Sequence, residues 1–401
     1  MIRLLCLLLI VLCGPVVSRA EQPALEAMDW PAVEAAARGG TVRFFMFGGW
    51  AHTNKWVDEY VAAELKTRYG IALQRVPMDA AAFMNKLLAE HAAGKQDGSI
   101  DLLWINGENF KNAKEAGLLY GPVAQRLPNF QQYVDPEAAA MDFGTPTEGY
   151  EVPYGRAQFV FEYDSARTPE PPRTFAALAR WVQENPGQFT YPQPPDFTGS
   201  AFIRQAFYAL TGGHEQYLRP FDRELFDSKA PALWTYLQDM KPSLWQGGKT
   251  YPKDSAGLDT LFARGEVAFS MSYHPSHAQS QILAGTYPPT VRTFIMDDGS
   301  LFNTHFTAIP ANSPNKAAAM VAANFLLSPE AQLSKFDPAN WGDSPAIDLA
   351  RLDEATRARF LAVDLGPATL PPDALAANGV PEIPAAWLEA LEKGWSNNVL
   401  R

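Results

Sequence analysis

Asp101-Leu102-Leu103-Trp104-Ile105-Asn106-Gly107-Glu108-Asn109-Phe110 is the stretch that decides how the chain folds. Residues 101–105 read as a short apolar strand. Asn106, Gly107, Glu108 and Asn109 then turn polar, and a helical run follows to Gly117. In open α/β sheets the ligand sits outside the carboxyl end of such a strand. Gly107 permits close backbone approach, and Asn106, Glu108 and Asn109 supply donors and acceptors. An ordinary strand-to-helix loop with an N-cap fits the same residues equally well.

Working outward, residues 30–38 read as a helix stopped by Gly39-Gly40, and residues 41–47 as a strand. Gly48 and Gly49 let Trp50 project from the strand end, and Asn54 is expected to cap the next helix. A strand at 71–77, a helix capped by Asp79 and a strand at 100–105 complete a β-α-β-α-β pattern. Short loops in that pattern imply parallel strands with right-handed crossovers. The glycines match neither a dinucleotide fingerprint nor a P-loop.

The first twenty residues carry Arg3, an apolar run from Leu4 to Leu12, and Ser18-Arg19-Ala20, the layout of a cleaved secretory leader. Both cysteines, Cys6 and Cys13, fall inside it, so the expected mature chain has neither disulfides nor cysteine chemistry. Removing Arg3 and Arg19 from 33 basic residues leaves 31 against 44 acidic ones. That balance argues against nucleic acid and anionic membranes as partners. No later apolar run is long enough to span a bilayer. A chain of this length suits two domains.

Residues 150–163 read as a long extended segment broken at Pro153 and Gly155, a crossing between two lobes with Tyr154 and Arg156 beside it. Residues 188–191 read as a strand. Thr198, Gly199 and Ser200 open a helix whose free N–H groups suit an anionic or polar group; plain N-capping explains them equally well. Residues 266–273 read as a strand ending in Tyr273-His274-Pro275-Ser276-His277. Residues 291–295 and 301–309 read as extended, and residues 315–327 as a helix.

Gly265-Glu266-Val267-Ala268, followed by Ser313-Pro314-Asn315-Lys316 and Phe325-Leu326-Leu327-Ser328-Pro329-Glu330-Ala331-Gln332, resembles the extracellular solute-binding proteins of ABC importers. Gly48-Gly49-Trp50, Pro153-Tyr154-Gly155-Arg156 and Val380-Pro381-Glu382-Ile383-Pro384 are similar to the YnjB-like subgroup. The resemblance implies an α/β, type II periplasmic-binding fold with a two-strand hinge and an interlobe cleft. It places a leader at 1–20, lobe one at 21–155 plus 293–340, and lobe two at 156–292 plus 341–401. It implies a non-enzymatic monomer in the periplasm, without cofactor, that delivers a small molecule to a membrane permease.

The expected cleft gathers Trp50, Asn54, Asn106, Glu108 and Asn109 from lobe one, and Thr198, Ser200, Tyr273 and His274 from lobe two. Tyr154 and Arg156 stand at the crossing, Asn303 and Thr304 follow the return crossing with His305, and Trp341 closes the far end. Glu108 beside aromatic rings favours a cationic or aromatic solute such as thiamine; Arg156 and the Thr198 helix start favour an anion. The alternatives are an iron or zinc carrier built on the scattered histidines, and a periplasmic hydrolase. Neither a nucleophile elbow nor a zinc-protease motif is present.

Overall fold

The computed structural model describes residues 24–400. The expected leader and both cysteines lie outside the described residues. Strands β1 (Thr41–Met46), β2 (Ala72–Pro77) and β3 (Leu102–Ile105) pair in parallel, with β1 in the middle. The Ser300–Pro310 strand runs antiparallel to β3 and carries three further partners: Glu151–Gln158 antiparallel along most of its length, Leu119–Tyr120 antiparallel at its end, and Gly379–Pro381 parallel at its start. A second, antiparallel sheet consists of Val291–Phe294, Val160–Asp164 and Phe269–Ser272.

Alternation explains why the larger sheet is covered on both faces. Phe44 and Leu102 enter one apolar cluster, whereas their neighbours Phe45 and Leu103 enter another. Strands buried on both sides read as continuous apolar runs, as Phe44 to Phe47 does. One face is covered by the helix Lys316–Leu326, in which every residue from Ala318 to Leu326 is buried. Its small alanines let the sheet approach closely.

The chain passes between the two sheets at Phe159, whose N–H donates to the Leu301 carbonyl at 2.7 Å, and again between Phe294 and Ser300. Residues 150–163 are therefore two strands, Glu151–Gln158 and Val160–Asp164. Opposite the His305–Phe306 step the register slips. His305 faces Gly155 and Phe306 faces Pro153, leaving Tyr154 as the extra residue of a bulge. The smaller sheet has its own apolar cluster, from Phe159 through Phe202 and Phe269 to Trp395. Trp341, Ala346, Ile347, Leu352 and Phe360 pack in the cluster of the larger sheet, although the sequence boundaries gave residues from 341 onward to the other lobe.

Three local expectations are corrected. Residues 188–191 are not a ladder strand: the Gln188 and Phe189 carbonyls accept from the N–H groups of Ala268 and Trp245, neither of which lies in a strand. The 266–273 strand shortens to Phe269–Ser272. Asn54 is no cap, because the helix already begins at Ala51 and the Asn54 amide instead donates to the Gly48 carbonyl at 2.8 Å.

Candidate functional site

Six rings from separate parts of the chain meet where the two sheets adjoin. Trp50 follows β1 and Trp104 lies in β3. Tyr154 is the bulge residue, His274 ends the Phe269–Ser272 segment, His305 lies on Ser300–Pro310, and Trp341 follows the helix Pro329–Phe336. Trp50 stands edge-on to His274 at 4.5 Å between ring centroids, and His274 lies 5.7 Å from Trp341. Trp104 reaches His305 at 5.0 Å, Tyr154 at 5.5 Å and Trp341 at 5.7 Å. Gly48 makes the approach of Trp50 possible, since a Cβ there would lie 2.5 Å from the Pro77 Cβ.

Asp343 is the anchor beneath this box, with a fully buried side chain. Its Oδ1 meets His274 Nδ1 at 3.1 Å and His305 Nε2 at 3.0 Å, while its Oδ2 accepts from Lys335 Nζ at 2.5 Å. Lys335 also donates to the Ser344 carbonyl and sits 5.4 Å above the Trp341 ring. Burial alone would raise the Asp343 carboxyl. Lys335 and the two imidazoles outweigh it and hold the group far below the usual carboxylate range. Burial pushes His274 down to about 4 and lowers Lys335, with Asp343 opposing both. His274 is therefore neutral at physiological pH.

Polar atoms of the box lack partners although they are buried. Trp50 Nε1, Trp341 Nε1, the Tyr154 hydroxyl and His274 Nε2 make no hydrogen bond, nor does either amide atom of Asn303. Leaving such groups dry costs about 1–3 kcal/mol each, so an arrangement with several of them is suited to a partner that arrives from outside.

A second group lies around Arg204, which is fully buried and bidentate on Glu382 at 2.9 Å for both contacts. Tyr273 donates to Glu382 and Ser200 to Glu392. The guanidinium lies 5.5 Å from both the Phe143 and Phe197 rings. Glu108, in the first turn of the helix Gly107–Glu115, faces this group. Burial raises the Glu108 carboxyl, with Glu389 and Glu382 adding and Arg204 opposing. Burial likewise raises Asp142 well above its ordinary value and takes Glu392 to about 7. Glu382 pairs with the guanidinium directly, and the Glu108 and Glu392 carboxyls lie close enough to feel its charge.

Of the residues expected from sequence, Trp50, Tyr154, His274 and Trp341 meet in the ring box. Glu108, Ser200 and Tyr273 meet around Arg204, with the Asn109 amide on Glu108 at 2.9 Å. Asn106 is the half-buried residue before the helix Gly107–Glu115 and makes no side-chain cap; Asp142 takes the Gly107 N–H instead. Asn303 is buried and Thr304 half-buried. One expectation is overturned. The helix start at Thr198 is not open to an anion, because the Asp196 carboxylate already accepts from the Thr198 and Gly199 N–H groups. Arg156 is exposed and lies outside the buried box.

Sequence reasoning missed Trp104, Lys335, Asp343, Arg204 and Glu382. Arg204 had a readable signal, a charge set inside Phe202-Ile203-Arg204-Gln205-Ala206-Phe207. His274 and His277 do not converge. His277 belongs to another buried group, with Glu162 at 2.8 Å and Asp259 at 3.4 Å.

The family model for bacterial extracellular solute-binding proteins matches residues 60–358. The chain belongs to that family. It is 42% identical to Protein YnjB of Escherichia coli strain K12 over 93% of this chain and 94% of that one. Among solved structures, the periplasmic binding protein AfuA from Actinobacillus pleuropneumoniae, bound to fructose-6-phosphate, superposes with a TM-score of 0.64 at 14% identity, covering 90% of this chain and 98% of that one. A periplasmic thiamin binding protein gives 0.61 at 16% identity, covering 90% and 96%. The spermidine/putrescine substrate-binding protein PotD from Streptococcus pneumoniae gives 0.61 at 14%, covering 90% and 99%. These likenesses establish the type II periplasmic-binding fold. Among the described residues no helix is long and apolar enough to cross a membrane.

Proposed function

We propose that this chain captures a small organic solute between its two lobes and hands it to the membrane permease of an ABC importer. The reading places it in the periplasm as a monomer without enzymatic activity. One observation carries it: the buried ring box holds several unpartnered polar atoms and is assembled from both sheets. A solute entering there gains ring faces and hydrogen bonds together.

The lobes follow the two sheets with their apolar clusters, so residues 341–360 move with the larger sheet. The crossings at Phe159 and between Phe294 and Ser300 act as the hinge, and closure buries the solute. The solute is thiamine-like, or another cationic or aromatic organic molecule. Four aromatic side chains favour a flat ring, and their faces also attract a cation. Thiamine and polyamines are named for two of the similar structures.

A thermal-shift screen with thiamine, its phosphates, polyamines, sugars and amino acids tests this reading, since a solute bound only by the folded chain raises the melting point. A rise with a cationic aromatic compound, abolished in Trp341→Ala and reduced in Glu108→Gln, is expected. A rise only with uncharged sugars would refute the ligand class.

A further inference from the structure

We infer that His274, His305 and Asp343 form a binding site for a divalent transition metal of the zinc type, with open coordination toward the ring box. One ligand atom from each of the three residues lies within 4.8 Å of the other two. Metal–nitrogen and metal–oxygen bonds of about 2.0–2.2 Å place neighbouring ligands roughly 2.9 Å apart at a right angle and roughly 3.4 Å apart in a tetrahedron. The observed oxygen–nitrogen separations of 3.0 and 3.1 Å fall between these limits. A metal is therefore accommodated by a short outward shift of three atoms, not by rebuilding the site.

The donor set suits such an ion. Two imidazoles and one carboxylate select zinc-like metals over calcium or magnesium, which prefer oxygen. Lys335 holds Oδ2 of Asp343 and so fixes the carboxylate while leaving Oδ1 for the metal, as groups behind a metal ligand commonly do. Ligation through Nδ1 puts the proton of His274 on Nε2, the atom that lacks a partner. Three protein ligands leave at least one position open. The open position takes a neutral lone-pair donor such as water or a ring nitrogen. His274 adjoins the smaller sheet, while His305 and Asp343 belong with the larger one, so the ion also ties the two together.

Zn2+ titrated calorimetrically into the chelator-treated, dialysed chain tests the site. One ion per chain is expected. His274→Gln and His305→Gln should each weaken binding by roughly 100-fold, as loss of a ligand does at least as strongly as loss of its outer partner. His277→Gln should leave it unchanged. Quenching of tryptophan fluorescence should accompany binding, because Trp50 and Trp341 both adjoin His274. Co2+ absorption in the visible region gives a second readout if either glutamine variant loses its fold. Absence of Zn2+ binding, binding that survives both glutamine variants, or binding lost only in His277→Gln would overturn the assignment. Organic-solute binding measured in chelator stands or falls separately, so failure of one reading is distinguishable from failure of the other.

Discussion

Gly155 offers a sharp test of how tightly the central cluster is built. Its backbone is not in the left-handed region, so alanine is conformationally acceptable there. Space is what is missing. A Cβ would lie 2.0 Å from Asp343 Oδ2, 2.7 Å from Lys335 Nζ and 2.8 Å from His305 Cδ2. None of the three can retreat freely: Asp343 and Lys335 are fully buried, and His305 is nearly so. Overpacking costs about 1–3 kcal/mol, and breaking a buried ion pair costs about 3–5 kcal/mol. Partial displacement of Asp343 puts Gly155→Ala at roughly 2–4 kcal/mol. At about 2–4 °C per kcal/mol for a unit of lobe size, the melting temperature should fall by roughly 4–16 °C. Differential scanning calorimetry would measure it, with Gly257→Ala as the control. Gly257 lies in the helix Ser255–Ala263, its nearest neighbour to an added Cβ is 3.5 Å away, and helix propensity favours alanine there. A Gly155→Ala chain that melts within about 1 °C of the native one would refute the packing argument.

Three further predictions rest on other buried groups. Asp101, with no exposed surface, accepts from Arg43, Ser313 and Asn315; Asp101→Ala should cost about 3–5 kcal/mol, read by urea unfolding, and Asp101→Asn less. Burial opposes ionisation of Glu90, but hydrogen bonds from Ser99, Lys95 and Asn312 lower its carboxyl to about 2. Its contribution is thus present above the ordinary carboxylate value and lost as pH falls toward 2, and Glu90→Gln should flatten that acid limb of the stability curve. His277 is the reverse case: burial lowers it, yet Glu162 and Asp259 outweigh burial and raise it to about 9. Its contribution is full below pH 6.5 and lost as pH rises through about 9, so melting temperature should decline across that window, and not in His277→Gln.

The parallel half of the larger sheet was legible because its strands carry short apolar runs bounded by caps and glycines, from Phe44 to Phe47 and from Leu102 to Ile105. Residues 188–191 were misread because an apolar extended run looks the same whether or not a ladder partner exists. Trp50, Tyr154, His274 and Trp341 stood out as aromatics at the ends of elements. Lys335 and Asp343 did not. Lys335 falls near the end of a helix that reads as half solvent-exposed, and only tertiary packing turns it inward onto a carboxylate eight residues away. Asp196 shows the converse: the helix start at Thr198 was visible, but the carboxylate that fills it was not recognised as the cap.

The central claim is that the ring box holds a small organic solute. Native mass spectrometry after incubating the purified chain with a small-molecule extract of bacterial culture tests it most directly, with the Trp50→Ala/Trp341→Ala double variant in parallel. One organic solute retained per native chain, and none by the folded double variant, is the predicted result. Retention of nothing by either chain, or of the same molecule equally by both, would contradict the assignment of the site.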